Sequence, residues 1–217
     1  HNLKYKQDST GNLLITKPPY KGFEKRETIV LQSHVDMVGA KLPGSRHDWH
    51  KDPIKPLVKG EWVVAKETTL GGDNGIGVAA QLAILADKNL ECGTIEALFT
   101  IDEETGMTGA IGLEPSFIKG RRLLNLDSED EGTIFIGCAG GIDTVARMEY
   151  STVEPIEDTI ALKIKVHGLH GGHSGDEIDK GYGNAIKIIS EILFLLSEKV
   201  GIALSFFEGG NLRNAIP

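Results

Sequence analysis

The sequence predicts an α/β fold: a mainly parallel mixed sheet with helices on both faces, followed by a smaller, incomplete α+β domain. Three observations predict it. Dense apolar and β-branched runs at 28–33, 96–101 and 122–126 are separated by helical or turn-rich stretches, as parallel strands joined by crossovers require. Each run leads straight into an acidic or imidazole side chain, and such groups collect beyond the carboxyl ends of parallel strands. Near Gly140 the texture changes to segments that alternate like half-exposed strands, which gives domains 1–140 and 141–217.

The elements follow in order. Leu13-Leu14-Ile15 is a short strand fed by the polar turn Asp8-Ser9-Thr10-Gly11, and Pro18-Pro19 with Gly22 make a loop. Thr28–Ser33 is a strong strand running into His34-Val35-Asp36. Residues 37–56 form a long loop carrying His47, Trp49 and His50, of a size that is usually functional or mobile. Trp62–Ala65 is a short strand. Gly71-Gly72-Asp73-Asn74-Gly75 opens a helix with Asp73 or Asn74 as its N-cap. Ile76, Ala79, Ala80 and Ala83, with Leu82, Leu85 and Ala86, make that helix apolar nearly all round, so burial is expected.

The stretch Glu96–Gly106 starts as a strand and ends in three consecutive acids, Asp102, Glu103 and Glu104. Residues 105–117 read as a turn and short helix. Arg122–Leu126 is a strand entering Asp127, and Thr133–Ile136 is another. The second domain is expected to hold strands at 142–150, 159–166 and 203–207 and a glycine-rich loop at 168–175. Its clearest element is the amphipathic helix Asn184–Ser197, with Gly201 near its C-terminal cap.

Composition narrows the function classes. The 217 residues carry a formal net charge of -8, which argues against nucleic acid and anionic membrane as main partners. No apolar run approaches the roughly 20 residues a membrane helix needs, and no signal-peptide pattern opens the chain. Cys92 and Cys138 lack metal-type spacing and build no disulfide framework. Cys138 reads as a small core residue, and a cytoplasmic location is the default. The chain begins at His1 rather than Met and stops at Pro217, as a piece of a longer protein does.

Three adjacent carboxylates repel one another. They make either a solvated acidic turn or a site for a cation. The second reading gains from position: His34 with Asp36, Glu103 with Glu104, and Asp127 all follow strands, and Asp73 begins a helix. One imidazole and several carboxylates without thiolate suit zinc, manganese or cobalt, in a paired site especially. A metal pair acidifies a bound water, and a carboxylate free of metal must then handle its proton. Glu103 and Glu104 are placed to divide those tasks. The glycines around Asp73 match neither the nucleotide P-loop nor the dinucleotide fingerprint. His47, His50 and His170 read as loop histidines.

Six ordered motifs carry a resemblance over essentially the whole chain. They are Ser33-His-Val-Asp-Met-Val38, Gly72-Asp-Asn-Gly75, Asp102-Glu-Glu104, Leu126-Asp-Ser-Glu129, Gly171-Gly-His-Ser-Gly175 and Asn214-Ala-Ile-Pro217. Together they resemble the aminoacylase and carboxypeptidase family of dinuclear zinc exopeptidases. The resemblance implies a cytoplasmic metallo-dipeptidase acting on aminoacyl-histidine and related dipeptides through two zinc ions, with manganese or cobalt as substitutes. By the same resemblance His34 and Asp127 bind one zinc, Asp73 bridges both, and Glu104 binds the second. Glu103 is the general base for the metal-bound water, and Asp36 orients the ring of His34. His173, in a lid domain that pairs subunits into a homodimer, stabilises the oxyanion. Asn214 and Arg213 bind the substrate's carboxylate or backbone. The family's second zinc takes a further histidine from near the C-terminus of the full protein, and no histidine follows Asn214. Two alternatives stay open: an N-acyl amino acid amidohydrolase on the same scaffold, and an inactive module that retains only metal binding or dimerisation.

Overall fold

The computed structural model describes every residue except His1, Glu129, Ala139, Ile156, Asp176, Asn211 and Arg213. Contacts divide the chain into two units, His1–Ile142 and Asp143–Pro217.

In the first unit, β1 (Lys4–Gln7), β2 (Leu13–Lys17), β3 (Ile29–His34), β6 (Ile95–Thr100) and β7 (Arg122–Asn125) form one sheet. Its order is β1-β2-β6-β3-β7. The hairpin β1–β2 is antiparallel and pairs antiparallel to β6, whereas β6, β3 and β7 run parallel. A separate two-stranded ribbon joins β4 (Pro56–Lys59) to β5 (Trp62–Ala65). The sequence pattern anticipates β5; β1 and β4 are too polar and too short to announce themselves.

All six residues of β6 are buried, which suits the middle strand of a sheet covered on both sides. Alternation then sorts the core into two faces. Leu14, Val30, Leu98 and Phe117 pack on one face with Leu113 and Ile118. Leu85, Ala97 and Phe99 pack on the other with Leu13, Ile15 and Val78. The first face is covered by the segment after α2 (Thr108–Ile111), and the second by α1 (Gly72–Ala86).

α1 departs from expectation in two ways. It is not buried all round: its buried stripe is Asn74, Gly77, Gln81 and Leu85, while Ile76 is 75% exposed. A helix lying on a sheet covers one stripe, and α1 packs mainly on β3 and β6. Nor is its N-cap Asp73 or Asn74. Gly71, at φ 77, takes that place in a left-handed conformation that favours glycine. Asp73 and Asn74 have non-helical backbone angles inside the helix, a kink in its first turn. The other end is closed from outside the helix. Lys17 Nζ donates to the carbonyls of Leu85, at 3.4 Å, and Asp87, at 2.5 Å, placing a cation at the negative end of the helix dipole.

The second unit holds α3 (Ala185–Lys199), capped by the Asn184 side chain, which accepts from Lys187 N–H at 3.0 Å. A 3-10 turn spans Ile178–Lys180. The glycine-rich loop is fastened to the last residues of the chain: His173 bridges Ala215, Ser174 N–H donates to the Asn214 carbonyl, and Ile216 N–H donates to the Gly172 carbonyl. The strands expected at 133–136, 142–150, 159–166 and 203–207 do not form. Alternation says which face of a strand would be dry, but a strand exists only beside a hydrogen-bonded neighbour. These segments have no ladder among the described residues, and Ile136, Ile142 and Ile160 stand in the open. Cys138 is likewise exposed rather than in the core.

Candidate metal centre

The register of the parallel strands makes the site. Ile29 lies opposite Ile95, and His34 opposite Thr100; Asn125 lies opposite Gln32, and Leu126 N–H donates to the Gln32 carbonyl. The carboxyl ends of β3, β6 and β7 are therefore nearly level. Whatever follows each strand is delivered to one edge.

His34, 1% exposed, is the centre of that edge. The preceding turn of β3 is locked by Gln81 of α1. In the orientation that satisfies both ends of its amide, the oxygen accepts from Ser33 N–H at 3.0 Å and Ser33 Oγ at 2.6 Å, and the nitrogen donates to the Leu31 carbonyl at 3.3 Å. His34 Nδ1 is 3.0 Å from the Asp36 carbonyl oxygen and 3.4 Å from Asp36 Oδ1. A proton on Nδ1 suits both neighbours, so Nε2 carries the lone pair. That nitrogen faces Asp73 Oδ1 at 3.0 Å and Asp127 Oδ1 at 3.5 Å.

Two sets of donors share this ring. Atoms of His34, Asp73 and Asp127 lie within 4.8 Å of one another, and so do atoms of His34, Glu103 and Glu104. An imidazole with its far nitrogen already engaged, beside four carboxylates, is a donor set that fits zinc or a similar divalent ion. Electrostatics point the same way. Burial pushes the Asp127 carboxyl up to about 6, helped by its hydrogen bond to Asp73 and the negative charges nearby. Burial, then the charges of Asp73 and Glu103, raise Glu104. Burial of the His34 ring opposes its protonation, but the Asp73 hydrogen bond and the charges of Asp127, Asp73 and Asp36 outweigh it and raise its pKa. All three shifts favour the protonated form, as negative charge crowded together without a cation does.

The three consecutive acids have three different surroundings. Asp102, at φ 57, turns the chain off β6; its carboxylate accepts from the hydroxyls of Thr105 and Thr108 and stays local. Those bonds, Thr105 first, hold its pKa below the usual carboxylate value. Glu103 and Glu104 continue to the edge. Their backbone N–H groups both donate to Asp36, at 3.1 Å to Oδ1 and 3.0 Å to Oδ2. Asp36 thus faces the ring mainly through its carbonyl, while its carboxylate fixes the paired glutamates. Asn12, fully buried, ties the same turn to the β1–β2 hairpin: its amide donates to the Gly109 carbonyl at 2.8 Å and accepts from Ile101 N–H at 3.3 Å. A cavity of about 180 Å³ opens here, lined by His34, Asp36, Met37, Gly71, Gly75 and Val78 among others. A larger one of about 400 Å³ sits at the amino ends of the same strands, beside Thr28, Thr94 and Glu96, away from these acids.

His173 and Asn214 belong to the second unit, where the bonds between 172–174 and 214–216 bring them together. Gly175 N–H donates to His173 Nδ1 at 3.1 Å. Arg213 lies outside the described residues. The motif reading gave Asn12 and Gln81 no role and Asn74 only that of a candidate helix cap. Asn74 stands three residues before Gly77, and Gln81 four after it and four before Leu85, so both polar residues fall on one helical stripe, a weak sign of a buried, hydrogen-bonded role.

No family model matches the chain. It is 47% identical over 97% of its length to the cytosol non-specific dipeptidase of Escherichia coli (strain K12), covering 44% of that protein. Nearly the whole chain is therefore similar to part of a dipeptidase. It is also 31% identical over 95% of its length to the uncharacterized protein YqjE of Bacillus subtilis (strain 168), covering 49% of it. Among solved structures it matches the aminoacylhistidine dipeptidase of Vibrio alginolyticus at 45% identity and a TM-score of 0.65, over 99% of this chain and 44% of that one. The chain thus spans about half the length of the relatives it matches, and its sheet with flanking helices is similar to part of the Vibrio alginolyticus structure.

Proposed function

We propose that this chain belongs to the M20 peptidases and carries the metal centre of a dipeptidase that hydrolyses aminoacyl-histidine and related dipeptides. The observation that supports it is the convergence of Asp73, Asp127, Glu103 and Glu104 on one buried imidazole whose Nδ1 is already engaged. The substrate class comes from the relatives, a non-specific dipeptidase and an aminoacylhistidine dipeptidase. In this reading His34 and Asp127 hold one zinc, Asp73 lies between two, and Glu104 holds the second, with manganese or cobalt able to substitute. Divalent ions there would polarise the peptide carbonyl and lower the pKa of water towards about 7. Glu103, free of metal, takes the proton of the attacking water and returns it to the leaving amine. Asp36 keeps Glu103 and Glu104 in register with His34. His173, Asn214 and Arg213, from a lid of residues 141–217 that also forms the homodimer contact, bind the oxyanion and the substrate's carboxylate end. The setting is the cytoplasm.

Metal titration of the chain by calorimetry tests the centre directly. Binding of zinc that disappears in His34→Ala and Asp73→Ala is expected; undiminished binding in both would remove the proposal. Substrate class is tested with dipeptides against N-acyl amino acids, with zinc present. Turnover of the acyl amino acids alone would make the protein an amidohydrolase instead.

A further inference from the structure

We infer that Asn74 is a positioning residue for Asp127, working with Gly77, and that the metal affinity of the centre depends on the N–H donors of its amide. The inference rests on the metal reading above. Asn74 is 5% exposed and lies at the start of α1, beneath the site edge. Its Nδ2 donates to two acceptors on the strand-end segment after β7: the Leu126 carbonyl at 2.8 Å and Asp127 Oδ1 at 2.6 Å. A single amide therefore grips both the backbone and the carboxylate of the segment that enters the site. The Asp127 backbone is held from the other side, its N–H donating to Asn125 Oδ1 at 3.1 Å.

The orientation of the amide is decided by these contacts. Rotated end for end, its oxygen would face two oxygens, at the cost of two hydrogen bonds and with electrostatic repulsion added. In the observed orientation Oδ1 is buried and has no hydrogen-bond donor. An orphaned acceptor of this kind costs free energy, which is tolerated here only because the nitrogen is needed where it is. Gly77 supplies the space. A Cβ at that position would collide with Asn74 Oδ1 and come within 2.9 Å of the Leu126 carbonyl. The pair Asn74–Gly77 is thus one device: the glycine admits the amide, and the amide aims the carboxylate.

The residue type matters because of charge. Asp73, Glu103, Glu104 and Asp127 already crowd the edge with negative charge. An amide donates two hydrogens and adds none of that charge. A carboxylate of the same shape would set a fifth acid against Asp127 and the Leu126 carbonyl. Hydrogen-bonding neighbours of metal ligands commonly contribute about 10–100-fold in affinity, and that range is expected here.

Zinc titration of the folded chain by calorimetry tests this, with circular dichroism to confirm folding. Asn74→Ala and the isosteric Asn74→Asp are both expected to weaken binding about 10–100-fold. Gly77→Ala is expected to do the same. In an Asp127→Ala background, Asn74→Ala should change affinity no further, because its target is gone. Full affinity in Asn74→Ala overturns the inference. Recovery of wild-type affinity in Asn74→Asp also overturns it, since shape alone would then suffice. An equal loss from Asn74→Ala with and without Asp127 does so as well, by showing a general effect on the fold. Failure of the wild-type chain to bind zinc instead sinks the metal reading on which the inference stands.

Discussion

At the scale of single residues the paired glutamates are the sharpest point. They adjoin in sequence, share Asp36 as an acceptor for their N–H groups, and differ in assigned task. Glu103→Ala is expected to remove turnover by about 10²–10⁴-fold, the usual worth of a general base, while the chain keeps its metal. Glu104→Ala is expected to lose metal. Metal content by atomic absorption, read beside the rate, separates the two, and the opposite pattern would exchange their roles. Asp36→Ala should disturb both sets of ligands at once, because it frees the two N–H groups together; a loss of one metal equivalent only would count against that joint role. The acids themselves were legible in the sequence. What each does was not, because Asp102 differs from its neighbours only in where a left-handed turn at φ 57 sends its side chain.

At the scale of elements, α1 teaches most. Its apolar residues implied burial all round, yet its buried stripe is the more polar one, with Asn74 and Gln81 facing the sheet and Ile76 facing out. Periodicity reports how much apolar surface a helix has, while neighbours decide which side is covered. The helix ends where Lys17 of β2 meets its last carbonyls. Lys17→Met keeps the aliphatic stem and removes these charged hydrogen bonds. It is expected to cost about 1.5–3 kcal/mol, read as a lower urea midpoint with an unchanged slope; an unaltered midpoint would show that water serves those carbonyls equally well. The strands β2, β3, β6 and β7 were legible because dense apolar runs can do little else. The segments at 142–150 and 159–166 carried the same kind of signal without forming strands, since pairing is a property of two segments and alternation of one.

At the scale of the whole molecule, the crowded edge ties stability to pH. Asp127, Glu104 and His34 each have a raised pKa, so in the range where these three titrate the metal-free site holds more protons folded than unfolded. Their contribution to stability falls as pH rises through that range. The Asp127 contribution declines between its ordinary 3.8 and about 6, and that of His34 is present in full below 6.5 and is lost above. Thermal unfolding of metal-stripped protein from about pH 4.5 to about 7.5 should show this decline, and Asp127→Asn should flatten part of it. Saturating zinc should reverse it, adding about 2.7 kcal/mol at a hundred times its dissociation constant. A melting point that climbs with pH in the absence of metal would contradict the electrostatics of the site. No described helix is long and apolar enough to cross a membrane.

The sequence by itself determined the kinds of donor, the order in which strands deliver them, and the parallel core that gathers their ends, because each depends on local patterning and on residue chemistry. Only the tertiary structure decided which oxygen of Asp36 meets the ring, which acid stays behind in the turn, and that a buried amide at Asn74 reaches Asp127. The Asp36 carboxylate is held by N–H groups 67 and 68 residues away and Asn74 meets Asp127 across 53 residues, and separations of that size are encoded by no local pattern.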